Sequence, residues 1–510
     1  ARSRHVAPGC HRYARHHTQR PHTQRHCRVM ARGRGDRSNL TKMPNQSAII
    51  FVLAFAGLTS SFMFTLVVPI QAQLPVLLNA SREDSAWVIT STLLAAAIIA
   101  PISGRLGDMY GKRRIVIILL IAMILGSMLA ASSSQLVLVI IGRTLQGSMT
   151  GVIPLGISIL RDVLHQNRVD TAIAINSATM GVGGSIGMPL SAYVTEIGDW
   201  HLLFWLSAAL GVLCLVLVII FIPPSTLRTE GKFDYVGAFL LTIGLVGLLL
   251  AISRGNEWGW LAPMTLLTGV GGIVVLLVWG WYEMRIDEPL LDLRVAGRRP
   301  VLLTNLVGIC MGFAMFAGNV AFPQRLQMSV ESGSGFGLSL FVATLVIMPT
   351  GIVMMAVAPI SGRLARVMGP RVLLITGAAA QVAAYGMVAI SDAHIWMIFV
   401  SSFLVGLGIG FGFAGMPMVI MRSVPQSETG ASNGINALFR SFGTSVAAAV
   451  IAVVLAASAT EFNGAEVPSV EGFQLTYILA TAVAFVGLIL TLMIPGKSAP
   501  VKELHPSLPD

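Results

Sequence analysis

The heptapeptide APISGRL occupies Ala100–Leu106 and returns at Ala358–Leu364, 258 residues later. Each copy closes a long apolar run and precedes a cluster of basic residues. A second pair of segments keeps nearly the same offset: INSATMGVGGSIG at 175–187 and INALFRSFGTSVA at 435–447, 260 residues apart. Two matched pairs with one spacing mark a parallel internal repeat. A repeat of two helical halves in a membrane places a substrate site at their interface, near the bilayer midplane.

The composition puts that repeat in a bilayer. Of the 510 residues, 55% are hydrophobic and 11% are charged, against about 25% charged in a soluble domain. Too few charges are present to coat the surfaces of soluble domains. Apolar runs of about 18–25 residues recur, the length that spans a hydrocarbon core of about 30 Å. The expected class is an all-α polytopic membrane protein. The net charge of +11 does not point to nucleic acid, because residues 1–43 carry eleven Lys and Arg against one acid, Asp36. Residues 1–42 read as a disordered basic tail, with translation expected to start at Met43. Cys214 and Cys310 stand alone in apolar runs and read as small core side chains.

Fourteen spans are expected, near 47–70, 85–103, 114–132, 136–160, 171–195, 202–222, 236–252, 262–282, 301–322, 338–358, 371–390, 394–421, 432–457 and 472–494. With the N-terminus in the cytoplasm, the cytoplasmic loops and C-terminal tail carry eighteen Lys and Arg. The opposite loops carry three: Arg82, Arg254 and Arg325. That asymmetry follows the positive-inside rule and places both termini in the cytoplasm. The offsets map spans 1–6 onto spans 9–14. Residues 43–222 then form an N-terminal six-helix half and 301–494 a C-terminal one. Residues 223–300 hold inserted helices 7 and 8, and 495–510 a cytoplasmic tail.

The first copy continues as GRLGDMYGKRR, Gly104 to Arg114. This stretch resembles the signature loop between spans 2 and 3 of the major facilitator superfamily. The resemblance implies that family's fold, here two six-helix repeats plus two inserted helices. Gly104, Gly107 and Gly111 permit a tight turn and close helix approach. Asp108 is placed to cap the following helix or to pair with an arginine across the loop, and Arg105, Lys112 and Arg113 hold the loop at the cytoplasmic face. The second copy carries Gly362 and Arg363 but has Arg366 where the first has Asp108, which assigns the latching role to the first half. Three further stretches, Arg143–Gly151, Phe233–Trp260 and Asp287–Arg294, resemble the fourteen-span drug:proton antiporters. In that branch the arginine matching Arg143 is linked to proton transfer, with Gln146 and Gly147 on the next turn. Gly181, Gly183, Gly184, Gly187 and Pro189 resemble its antiporter motif, which implies tight packing of span 5. Here that motif ends as GMPLSA instead of the usual Gly-Pro followed by a glycine pair.

Two basic residues remain inside spans. Arg143 lies about 10 Å deep at 1.5 Å per residue. A charge there costs roughly 2.5–3.5 kcal/mol, so it should face a partner or a polar cavity. Arg440 has Asn433 and Asn436 on its own helical face, either a cavity stripe or a helix–helix hydrogen-bonding face. No Asp or Glu stands near the centre of any span. Asp162 and Glu196 at helix ends join Asp108 as candidate proton carriers, and the two arginines point to neutral or anionic lipophilic substrates.

The function these features imply is proton-coupled efflux of drugs or antibiotics across the bacterial inner membrane by alternating access. The alternatives are transport of one metabolite or a self-made natural product, then an uncoupled channel or receptor. The expected partners are a small lipophilic substrate, protons and the bilayer, without nucleic acid, around a monomer. No cofactor or metal is expected beyond the proton gradient. No Ser-His-Asp set is evident in the chain order, and no enzyme activity is expected.

Overall fold

The computed structural model describes residues 45–496, apart from 68, 69, 71, 72, 198, 226–230, 391–393, 463 and 464. The side chains of 82, 83, 166, 185, 192, 196, 197, 256, 427, 465 and 466 are likewise outside the description. The expectations for residues 1–42, for Met43 and for the C-terminal tail from 497 therefore lie outside the described residues.

Six long helices make the N-terminal half: α1 Gln46–Thr65, α2 Arg82–Tyr110, α3 Lys112–Ala131, α4 Leu136–Val163, α5 Gln166–Ile197 and α6 His201–Phe221. An inserted pair follows, α7 Tyr235–Trp258 and α8 Pro263–Glu283. The C-terminal half holds α9 Arg299–Gln327, α10 Leu340–Met368, α11 Pro370–Ile390, α12 Ile395–Ser423, α13 Thr429–Ala457 and α14 Val470–Met493. Thirteen of these are long and apolar enough to cross a membrane. The other, α5, has 32 residues, but its run through Asn176, Ser177 and a cluster of glycines lowers its hydropathy. Between α13 and α14 the strands β1 Ala459–Phe462 and β2 Ala465–Pro468 form a small antiparallel ribbon that apolar periodicity does not signal.

Local signals set the helix ends. Ser81 Oγ accepts the Asp84 amide at 2.9 Å and Asp234 Oδ1 the Gly237 amide at 2.8 Å, capping α2 and α7. Helix α2 ends at Gly111 (φ 104°) and α10 at Gly369 (φ 86°). Both backbones lie where only glycine is comfortable, and the two sit at equivalent places in the repeat. The apolar runs end near 103 and 358, yet both helices continue to 110 and 368. The signature stretch is therefore mostly helix, with its turn confined to Gly111.

The repeat extends to side-chain contacts. A Cβ on Gly183 of α5 would collide with the Leu58 carbonyl of α1, and one on Gly443 of α13 with the Ile309 carbonyl of α9. Gly147 of α4 lies against the Thr92 carbonyl of α2, as Gly406 of α12 lies against the Thr350 carbonyl of α10. Small residues let these backbones approach closely, which favours association where no hydrophobic driving force separates helix from lipid.

The halves meet where α2 packs on α13 and α5 on α10. Ile153, Ile157, Ile173, Ala174 and Ala178 of the first half join the apolar core of the second. The inserted pair packs on itself, and α7 leans on α2 and α13. Only 11% of the apolar window of α8 is buried, so Leu267, Leu277 and Trp281 present a face suited to lipid.

Candidate functional site

The first signature stretch fastens the two halves at one end. Asp108, 2% exposed, accepts the Gly430 amide at 3.3 Å and the Ala431 amide at 3.0 Å. Those amides open α13, whose own N-cap residue, Glu428, makes no side-chain cap bond. Asp108 therefore caps α13 from the opposite half. A carboxylate is favoured there by the helix dipole and by the unpaired amides. Glycine is required on both sides of the crossing: a Cβ on Gly104 would collide with the Gly430 carbonyl, and one on Gly430 would come within 2.7 Å of Asp108 Oδ1. Lys112 Nζ lies 3.7 Å from Asp108 and 2.6 Å from Asp162, so one buried ammonium serves two carboxylates. Ser158 and Thr429 hydroxyls meet at 2.8 Å. The Gln426 amide approaches Asp162 at 3.5 Å and Arg161 the Val424 carbonyl at 3.4 Å. Glu428 is held above the usual carboxylate range by burial and by Asp292, against the pull of Arg105 and Arg298.

The second copy crosses the halves with the opposite chemistry. Gly362 rests against Thr171, whose Cα would be 2.5 Å from an added Cβ. Arg366 donates to the Asn167 carbonyl at 3.2 Å, and Arg422 pairs with Asp170 at 2.9 Å. Arg363 is exposed. Arg113 lies away from the crossing: its side chain donates to the Ile219 carbonyl at 2.6 Å and its amide to Ser225, tying α3 to the end of α6 within one half.

Arg143 is 1% exposed, which excludes a side chain reaching out to the membrane surface. Its guanidinium donates to the Val88 and Met63 carbonyls, each at 3.3 Å, and to Gln146 Oε1 at 2.7 Å. Gln146 in turn donates to Ser127 Oγ at 2.7 Å. This chain joins α1, α2, α3 and α4 around a buried cation that has no acidic partner among the described residues. Such an arrangement satisfies the guanidinium and leaves its charge uncancelled.

On α13, Asn433 donates to the Thr429 carbonyl at 2.8 Å and Asn436 to Asn305 Oδ1 of α9 at 3.1 Å. Both asparagines are buried; Asn436 bonds α13 to α9, whereas the Asn433 bond stays within α13. Arg440, one turn on, is half-buried and stacks on the Phe413 ring at 4.7 Å. Gly183 and Gly187 fit α5 against α1, beside Leu58 and Thr65, while Gly181 faces Met354 of α10. Pro189 lies within α5. The Glu196 side chain is outside the described residues.

Ser134 meets the neighbouring residues Asp199 and His201 at the end opposite Asp108. Ser134 Oγ lies 3.1 Å from His201 Nε2, and His201 Nδ1 lies 2.6 Å from Asp199 Oδ1. Chain order hid this Ser-His-Asp series. The Asp199 side chain is 62% exposed; the His201 ring, and after it the His201 amide at 3.1 Å, hold it below its usual range. It thus works as a turn cap that ties the 132–135 loop to the start of α6. Sequence reading also missed Asn305, visible only as an isolated amide in an apolar run. It missed Gly430 and Ala431 because they act through backbone amides, which any residue carries.

Comparison with known proteins agrees with this architecture. The family description "Major Facilitator Superfamily" matches residues 51–448 and again 358–509. The chain is 25% identical over 331 residues to lincomycin resistance protein LmrB of Listeria monocytogenes, covering 64% of this chain and 69% of that protein. It is 24% identical over 420 residues to riboflavin transporter RibZ of Clostridioides difficile, covering 81% and 89%. The crystal structure of the human organic anion transporter MFSD10 superposes with a TM-score of 0.60 at 14% identity, covering 88% of this chain and all of that one. With the repeated halves and their crossed helices, these matches place the chain in the major facilitator superfamily.

Proposed function

We propose that the protein exports drugs or antibiotics across the bacterial inner membrane in exchange for protons, as a member of the fourteen-span drug:proton antiporter branch. The observation that carries this reading is the Asp108 crossing. It is a buried, breakable set of hydrogen bonds between two repeated halves, where the end of α2 meets the start of α13. Alternating access needs such a latch: rocking of one half against the other must break it to open that end. The excess of Lys and Arg in loops at that end supports a cytoplasmic placement for it. Asp108 and Asp162 share Lys112, so a proton on either changes the charge balance of the latch. Arg143 and Arg440 are buried or half-buried cations without carboxylate partners among the described residues, which favours neutral or anionic lipophilic substrates. The likeness to a lincomycin resistance protein supports a drug as cargo. The likeness to a riboflavin transporter supports a second reading, one specific metabolite.

A resistance panel of chemically varied drugs in a pump-deleted host, with and without a protonophore, tests the proposal. Expression should lower accumulation of several lipophilic drugs, and the protonophore should abolish that effect. Unchanged accumulation across the panel, or efflux indifferent to the protonophore, would remove the support for it.

A further inference from the structure

The two stretches around the inserted pair, FDYVG at 233–237 and DEPLLDLR at 287–294, converge on one buried point. Asp234 caps α7 with Oδ1, which accepts the Gly237 amide at 2.8 Å and the Tyr282 hydroxyl at 3.3 Å. Its other oxygen, Oδ2, is buried and has no partner. Glu283, the last residue of α8, is 3% exposed, and Asp234 is 9% exposed. The Leu290 and Leu291 amides and the Trp279 indole approach Glu283, but none closes a hydrogen bond on either carboxyl oxygen. The two carboxyls face each other across Gly237. A Cβ there would collide with Asp234 Oδ2 and lie 2.8 Å from Glu283 Oε1. The missing side chain is what makes room for the pair.

Two buried carboxyls facing the same glycine disfavour each other's ionised form. Neither carboxyl makes an ion pair among the described residues. Tyr282 is the further titratable group on the pair itself. Arg285 is turned onto the Trp281 ring at 4.2 Å. Glu288 takes the Lys232 amide, and Asp292 caps Arg294 and Val295. Just before α13, Glu428 interacts with Arg105 of α2 and with Asp292 and Arg298. None of these cations neutralises the pair.

We propose that Asp234 and Glu283 form a proton-binding site, in which Glu283 carries a proton on Oε1 and donates it to the Asp234 carboxylate at Oδ2. The assignment follows the helix dipoles. Asp234 sits at the positive N-terminus of α7, which favours its ionised form, and Glu283 at the negative C-terminus of α8, which disfavours its own. The bound proton gives Asp234 Oδ2 and Glu283 Oε1 a shared hydrogen bond and clamps α7 to the end of α8. The site lies on the inserted pair, outside both repeats and apart from the Asp108 latch, so it stands or falls separately from the export proposal.

The test is infrared spectroscopy of the purified full-length chain in nanodiscs, following the carbonyl stretch of protonated carboxyls as pH rises. Glu283→Gln should remove one protonated-carboxyl signal present in the parent at neutral pH. Asp234→Asn should leave that signal but move its loss to lower pH, because a neutral amide no longer opposes ionisation of Glu283. Thermal stability of the parent should fall as pH rises through the loss of the signal, since a carboxyl with a raised folded-state pKa stabilises only while protonated. The Glu283→Gln protein should lack that fall. An unchanged signal in Glu283→Gln, or an unchanged titration in Asp234→Asn, would overturn the assignment. The second variant decides the matter should the first not fold.

Discussion

Replacing Asp108 with Asn tests the latch most sharply, because it preserves shape and removes charge. The carboxylate caps two amides at the start of α13 and faces Lys112. The Asn side chain offers one acceptor oxygen, so one capping bond is lost and the other is no longer charge-assisted. Hydrogen bonds to charged groups contribute about 1.5–3 kcal/mol each, and about 2 kcal/mol is a reasonable net loss from the closed state. At 1.36 kcal/mol per factor of ten, that raises the open population roughly 30-fold. Ser158 reports on opening: it is fully buried against Thr429 at the crossing. A Ser158→Cys reporter, in a chain whose four native cysteines are replaced, should react with a soluble thiol reagent in proportion to the open population. Adding Asp108→Asn should raise that rate by about the same factor, roughly 30-fold. Adding Arg366→Ala should change it little, because Arg366 contributes a single carbonyl contact between the halves, at an exposed edge. Equal rates for the parent and the Asp108→Asn chain would refute the reasoning, and so would equal effects from the two substitutions.

Arg143→Ala should keep or raise expression, since it removes a buried charge costing roughly 2.5–3.5 kcal/mol to insert, while drug efflux is lost. Arg143→Lys should retain partial efflux at best, because an ammonium cannot span the Val88, Met63 and Gln146 acceptors as a planar fork does; normal efflux in both would assign Arg143 a packing role alone. Gly183→Val and Gly443→Val should each lower the melting temperature of the purified protein, since each forces apart an equivalent helix pair; tolerance of either would mean that this repeated contact is not what packs the helices within each half. Asn436→Ala should cost about 1–3 kcal/mol in unfolding free energy by orphaning Asn305, and Asn436→Ala with Asn305→Ala should recover part of that loss in a double-mutant cycle.

The fold was legible because three independent signals agree: apolar run length, loop charge and a duplicated heptad. Their agreement reflects physics that acts on side-chain type alone. The inter-half latch was only half legible. Asp108 is conspicuous as an acid in a basic stretch, but its partners are the Gly430 and Ala431 amides, which no sequence pattern displays. The division of labour between the two copies was readable from Asp108 against Arg366, whereas the target of Arg366, a carbonyl of Asn167, was not. The buried pair Asp234 and Glu283 escaped notice for a related reason. Each residue stands at the edge of an apolar run, where acids are ordinary, and only the approach of α7 to α8 brings them together. The Ser134, Asp199 and His201 series shows the same limit: proximity across two loops has no counterpart in chain order.

The central claim is that the two halves rock about a latch at the Asp108 end, driven by protons. It is tested most directly by electron–electron spin-distance measurement in nanodiscs between labels at Arg168→Cys and Val367→Cys, exposed positions near that end on opposite halves. The account predicts two populations, a short distance and a longer one, whose ratio moves with pH and moves further in Asp108→Asn. A single distance, unchanged by pH and by that substitution, would contradict it.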